Sequence, residues 1–143
     1  MEQEEKLTTF RHRTPVQLRF NDVDAFGHIN NSVYFALYDL AKTEYLRDVF
    51  DPDFTRKDIR PVVANVNADF IHPVYYGDNI EIQTAVTHLG NTSFVISQQA
   101  IDVDKKRVVC KCRTVMVCFS VGEQMPVRLP NELRTRFKEY EGL

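Results

Sequence analysis

An α+β domain in which a curved antiparallel sheet of about five strands wraps one long central helix is the fold class the sequence predicts, on three observations. One long stretch of helical spacing stands near the start; the apolar runs that follow alternate with period two; and 143 residues hold one substantial core but not two ordinary ones. A single domain spanning residues 1–143 is expected, with the charged residues 1–12 as a mobile tail.

The elements follow in order. Val16, Leu18 and Phe20 alternate with Gln17 and Arg19, predicting a first strand with one buried face. After a polar loop comes SVYFALYDLAKTEYLRDVF, where Val33, Leu37, Leu40, Ala41, Leu46 and Val49 recur at helical spacing, a helix of about five turns at 3.6 residues per turn. Asn30, Asn31 and Ser32 offer capping side chains at its start. Asp51-Pro52 stops it, because a residue before proline avoids helical geometry. Val62, Ala64, Val66, Ala68 and Phe70 then alternate with Asn65, Asn67 and Asp69, and Ile80, Ile82 and Val86 with Glu81, Gln83 and Thr87. Ser93–Val103 and Arg107–Val121 continue the pattern. The breaks YYGDN, LGNTS and DVDKK carry turn residues, so the strands are expected as an antiparallel meander. LPNELRTRFKEY reads as a short amphipathic helix starting at Pro130 and Asn131. The helix buries its stripe only if the sheet curls around it. Apolar residues on the other sheet face call for cover by a second copy, hence a homodimer and possible pairing of dimers.

Composition narrows the function classes. Hydrophobic residues make up 43% and charged residues 27%, and a net charge of −2 gives no overall electrostatic case for nucleic acid. No apolar run approaches the roughly 20 residues of a membrane helix, so membrane insertion is not expected. The acidic start MEQEEKLTT does not read as a secretory leader, and the expected location is cytoplasmic. Cys110, Cys112 and Cys118 share one face of an alternating run and read as reduced, buried thiols. CKC is one residue short of the usual zinc pair and has no evident fourth ligand, so neither a metal nor a cofactor is expected.

The chemistry concentrates in RFNDVDAFGHINNSVYF, Arg19 to Phe35. A helix start presents N–H groups without internal partners and a partial positive potential, suited to a developing oxyanion. Gly27 permits a tight turn and close approach of a ligand, and Asp24 lies near enough to Asn31 in sequence for the loop to fold an acid back beside those donors. A carboxylate that attacks a carbonyl or activates water beside an oxyanion pocket suits acyl transfer. Asp22, Asp24, Asn30 and Asn31 are equally residue types that serve turns and caps, and His28 fits either a substrate-orienting or a hydrogen-bonded structural role. Asp39 and Glu44 are read as solvated or paired with Lys42 or Arg47.

NDVDAFGHINNSVYFALYDLAKTEYL resembles the signature of the 4-hydroxybenzoyl-CoA thioesterase family, and the likeness continues through NADFIHPVYYGDNIEI, LGNTSF and RLPNELR. The resemblance implies the hotdog fold, assembled as dimers or dimers of dimers, and hydrolysis of an acyl-CoA thioester to acid and coenzyme A. It implies Asp24 as nucleophile or general base, with Asp22 secondary, and the backbone N–H of Asn31 as the oxyanion donor, with Gly27 shaping the preceding turn. Phe26, Tyr34, Tyr38 and Phe70 are candidate acyl-pocket residues, although each is also a natural core or interface aromatic.

Two departures bear on substrate. The basic cluster that some relatives carry before the Ser-Phe pair is missing from LGNTSF, leaving Arg60, Lys105, Lys106, Arg107, Lys111 and Arg113 as possible phosphate contacts. The GHINN turn is similar to that of a branch acting on fatty rather than aromatic acyl-CoA. Beside the thioesterase stand a noncatalytic acyl-CoA-binding module and a hydroxyacyl-thioester dehydratase; the latter has no use for the D-x-D pair and normally pairs a histidine with a carboxylate on the helix.

Overall fold

The computed structural model describes residues 9–143. Its elements are β1 (His12–Val16), α1 (Asn31–Val49), β2 (Ile59–Phe70), β3 (Ile80–Leu89), β4 (Ser93–Asp102), β5 (Arg107–Ser120), β6 (Met125–Pro126) and α2 (Asn131–Glu141). The strands form one antiparallel sheet in the order β1-β3-β4-β5-β2, with the two-residue β6 on β5. The sheet curls around α1, which is the hotdog arrangement.

Three sequence expectations are corrected. The first strand covers His12–Val16, because its ladder on β3 ends at Val16↔Ile80; beyond it, Arg19 and Asp22 close a 3-10 turn over Phe20–Asp22 that leaves Phe20 77% exposed. Of the expected tail 1–12, residues 1–8 lie outside the described residues, whereas His12 is buried in β1 and bonded to Asp48. Only β3, β4 and β5 form a meander. β2 lies beyond β5, paired from Ile59↔Ser120 to Phe70↔Cys110, and the N–H groups of Ile71 and His72 both donate to Val109 O as the chain leaves it.

The ends of α1 follow the expected chemistry. Asn30 is the N-cap, its Oδ1 accepting from Ser32 N at 3.0 Å, and the helix ends one residue before Asp51-Pro52 would have forced it to. The buried face is more aromatic than the aliphatic spacing suggests: Tyr34, Tyr38, Ala41, Tyr45, Leu46 and Val49 point into the sheet, while Leu40 is exposed. Two apolar clusters result, one around Tyr45, Phe94 and Phe137 where α2 packs, the other around Tyr34, Tyr38 and Ile82 toward the helix start.

A polar row divides them. His12, Thr84, Gln98 and Cys112 are cross-strand neighbours in turn, and Gln98 Nε2 donates to Thr84 Oγ1 and to Tyr38 O, both at 3.1 Å. Gln98 thereby joins the sheet to a helix carbonyl, a directional contact that apolar packing cannot supply. The outer sheet face carries polar Glu81, Gln83, Ser97, Gln99 and Arg113. Exposed apolar surface gathers on β2 instead, at Val62, Val63, Val66 and Phe70. No helix among the described residues is long and apolar enough to cross a membrane.

Candidate active site

The loop between β1 and α1 is a miniature hairpin. Val23 and Ile29 form an antiparallel bridge, Asp24 N donates to His28 O at 2.8 Å, and Asn30 N donates to Asp22 O at 2.9 Å. These bonds fold Asp22–Asp24 back along His28–Asn30, so the acid comes alongside the residues that lead into the helix. Gly27 sits at the turn with φ of 81°, a left-handed conformation that strains any side chain, and Gly27 N closes the turn onto Asp24 O at 3.1 Å.

The two acids hold different positions. Asp22 is 3% exposed and accepts from Arg19 N at 2.8 Å and Arg19 Nη2 at 3.1 Å. The Arg19 backbone N–H, against the effect of burial and with help from the guanidinium, holds its carboxyl below the usual carboxylate range. Its bonds serve the turn. Asp24 is half-buried, with Oδ1 accepting from Phe26 N at 2.9 Å and His28 N at 3.2 Å; among the described residues Oδ2 has no hydrogen-bond donor. One oxygen fixes the carboxylate while the other stays open to a carbonyl carbon or a water proton. Asn31 begins the helix, and among the described residues its N–H has no acceptor. An oriented carboxylate thus precedes an unfilled helix-start donor in one hydrogen-bonded loop.

The remaining candidates separate. Tyr34 is buried, its hydroxyl pushed up to about 12 by that burial, and its ring meets Phe70 edge-on at 5.4 Å. Phe70 also meets Phe35 at 6.4 Å, a neighbour that helical spacing alone did not single out. Phe26 is 82% exposed on the turn tip and makes no ring contact with Tyr34 or Phe70 among the described residues. His28 holds the loop through its backbone, and its ring lies edge-on to Tyr75 at 4.9 Å. The YYGDN turn does more than reverse the chain, since Tyr75 bridges His28 and Tyr76 meets Phe20 at 5.9 Å. Two adjacent tyrosines in a tight turn were the signal available. Cys110, Cys112 and Cys118 are free and buried, and burial raises each thiol.

Known proteins resemble this chain in sequence and in structure. The chain is 27% identical over 135 residues to the acyl-CoA thioester hydrolase YbgC of Escherichia coli O6:H1, covering 93% of this chain and 100% of that protein. It is 24% identical to the long-chain acyl-CoA thioesterase FadM of Escherichia coli K12, covering 89% and 97%. A Thermus thermophilus thioesterase, solved with coenzyme A and zinc, superposes with a TM-score of 0.83 at 26% identity, covering 94% of this chain and 96% of that one. Fold and relatives together define the class: a hotdog thioester hydrolase. Residues 18–137 match the Thioesterase-like superfamily, and the chain belongs to it.

Proposed function

We propose that this protein is a cytoplasmic acyl-CoA thioesterase, a single-domain homodimer that hydrolyses a fatty or aromatic acyl-CoA to the free acid and coenzyme A. The observation that carries the reading is the loop in which Asp24 keeps one carboxylate oxygen unbonded beside a helix start whose Asn31 N–H has no acceptor among the described residues. The names of the Escherichia coli relatives support the thioester class, and three buried, unpaired cysteines suit a reducing compartment.

In this mechanism the thioester carbonyl oxygen accepts the Asn31 N–H. Either Asp24 Oδ2 attacks the carbonyl carbon, or it takes a proton from a water that does. The carbon–oxygen π pair moves onto oxygen and is stabilised at the helix start; collapse then breaks the C–S bond and releases coenzyme A thiolate, which is protonated. With Asp24 as nucleophile an acyl-aspartyl anhydride remains for water to open; with Asp24 as base the acid forms directly. Tyr34 and Phe70 flank the acyl group in this reading, Gly27 and His28 hold the loop, and Phe26 meets substrate from the turn tip. Thiol release from short, long and aromatic acyl-CoA thioesters tests it. Turnover by the wild type and a loss on the order of 10²–10⁴-fold in folded Asp24→Asn are expected. Binding without turnover by the wild type would instead establish an acyl-CoA-binding module. A single turnover in ¹⁸O-water that leaves the first product unlabelled and the label on Asp24 would establish the nucleophilic route with water opening the anhydride at the Asp24 carbonyl, whereas attack of water on the acyl carbon, directly or in the anhydride, puts the label in the product.

A further inference from the structure

We propose, on the reading of Asp24 as the reacting carboxylate, that Tyr75 and Tyr76 are positioning residues, a clasp that grips the Asp24 loop from outside and fixes where its carboxylate stands. Asp24 takes its place from His28: its Oδ1 accepts the His28 N–H at 3.2 Å, and its own N–H donates to His28 O at 2.8 Å. The second donor to Oδ1, Phe26 N, belongs to the turn tip, where Phe26 is 82% exposed and Gly27 bends the chain. A shift of His28 therefore carries the carboxylate with it, and a misplacement of about 1 Å costs on the order of 10²-fold in rate.

Both legs of the loop are held by neighbouring residues of one turn. On the leg that leads into α1, His28 bridges Tyr75, the two rings stand edge-on at 4.9 Å, and Ile29 N donates to Val74 O at 2.7 Å. On the leg that arrives from β1, Phe20 lies in the 3-10 turn that ends at Asp22, and its ring meets Tyr76 edge-on at 5.9 Å. Asn30 N then ties the second leg to the first through Asp22 O.

The turn itself is stiff. Val74 before it and Ile80 after it are each 2% exposed, in the apolar cluster that also holds Ile29. Asp78 closes it twice, donating its N–H to Tyr75 O at 3.1 Å and accepting Tyr75 N on Oδ2 at 2.9 Å, while Gly77 supplies a φ of 96°. Tyr75 and Tyr76 are 44% and 57% exposed, so neither serves as a core residue, yet each has an edge-on partner on the loop. Their hydroxyls have no hydrogen-bond partner among the described residues, which leaves the rings as the gripping parts.

Thiol-release kinetics and amide hydrogen exchange on the full chain test the clasp. Folded Tyr75→Ala and Tyr76→Ala are each expected to lose on the order of tenfold in kcat with KM nearly unchanged, and Tyr75→Phe and Tyr76→Phe to restore kcat to within about twofold of wild type. In the Asp24→Asn background Tyr75→Ala should cost nothing further, because a residue that acts through a carboxylate has no effect once the carboxylate is gone. The amides of Asp24, Ile29 and Asn30, each hydrogen-bonded in the loop, should exchange on the order of tenfold faster in either alanine variant, while those of β3, β4 and β5 keep wild-type rates and show that the fold is intact. Unchanged exchange in both alanine variants overturns the clasp, whether or not the wild type turns over a thioester. Faster exchange with unchanged kcat, or a full Tyr75→Ala loss in the Asp24→Asn background, overturns the positioning role. A wild type that turns over no thioester overturns the reading of Asp24 instead, and the exchange rates still decide the clasp.

Discussion

Asp22 and Asp24 stand two positions apart, and their hydrogen bonds assign them opposite duties. Asp22 has both oxygens engaged by Arg19, and the fold holds its pKa below the ordinary value. A depressed carboxylate contributes stability that is fully present above its unfolded pKa of about 3.9 and is lost as pH falls through the lower folded value. Asp22→Asn removes that contribution, so the variant should be destabilised at neutral pH, and the gap to wild type should narrow as pH drops below about 4. Urea unfolding at pH 7, 5 and 3 reads this; a gap constant with pH would reassign the effect to packing. Asn30 invites a different test. Its Oδ1 accepts from both Ser32 N and Ser32 Oγ, and Asn30→Ala should cost about 0.5–2 kcal/mol of stability. Turnover should fall as well, since a frayed first turn no longer fixes the Asn31 N–H, and the ratio of activity loss to melting shift can be followed across temperature.

At the scale of the element, α1 explains what the sequence disclosed and what it withheld. Its ends were legible because caps and stops act locally: Asn30 bonds within two residues, and Pro52 constrains only its neighbour. Its buried face was less so. Helical spacing marked Leu40, which faces a cleft beside β1, and understated Tyr34, Tyr38 and Tyr45, because the curvature of a sheet assembled from distant segments decides which stripe is enclosed. The same reason hid the start of the first strand, which is fixed by its pairing with β3, and the position of β2, whose alternation is real but whose partner is chosen by tertiary contacts. In the candidate site, Asp24, Gly27 and Asn31 are readable as a loop motif; the contacts of Phe35 and Tyr75 are not, since each joins a candidate residue far along the chain. Tyr38 yields a sharp expectation. It is buried, and its hydroxyl meets nothing better than the Cys110 thiol, with burial driving its pKa upward. A buried hydroxyl without a good partner costs free energy, so Tyr38→Phe should leave the melting temperature unchanged or raise it. A marked fall would reveal a hydrogen bond that the hydroxyl makes in solution.

For the whole molecule the decisive surface is β2. This 12-residue strand pairs with β5 along one side, and the pairings place Val63, Val66 and Phe70 on the same face as buried Met116, Thr114 and Cys110. These side chains look toward the core side yet remain exposed, although Phe70 meets Tyr34 and Phe35 at the start of α1. Among the described residues β2 is an edge strand with no neighbour on its outer side, a template for another strand, and in the proposed homodimer a second copy of β2 would pair there in antiparallel register about a twofold axis. Such a pairing continues the sheet across two chains and brings Phe35 and Phe70, at the mouth of the proposed acyl site, to the boundary between copies. A twofold interface doubles every substitution. Val66→Lys adds one charge to an exposed position, which each isolated chain should tolerate to within about 0.5 kcal/mol, but in the dimer it sets two ammonium groups into one apolar seam. Sedimentation at micromolar concentration is therefore expected to give wild type at twice the chain mass or a multiple of it, and folded Val66→Lys at the mass of a single chain. If β2 also shapes the site, thiol release by the variant should fall with its dissociation and recover as concentration drives reassociation. A wild type that sediments as a monomer, or a variant that dimerises with unchanged affinity, would move the contact away from β2.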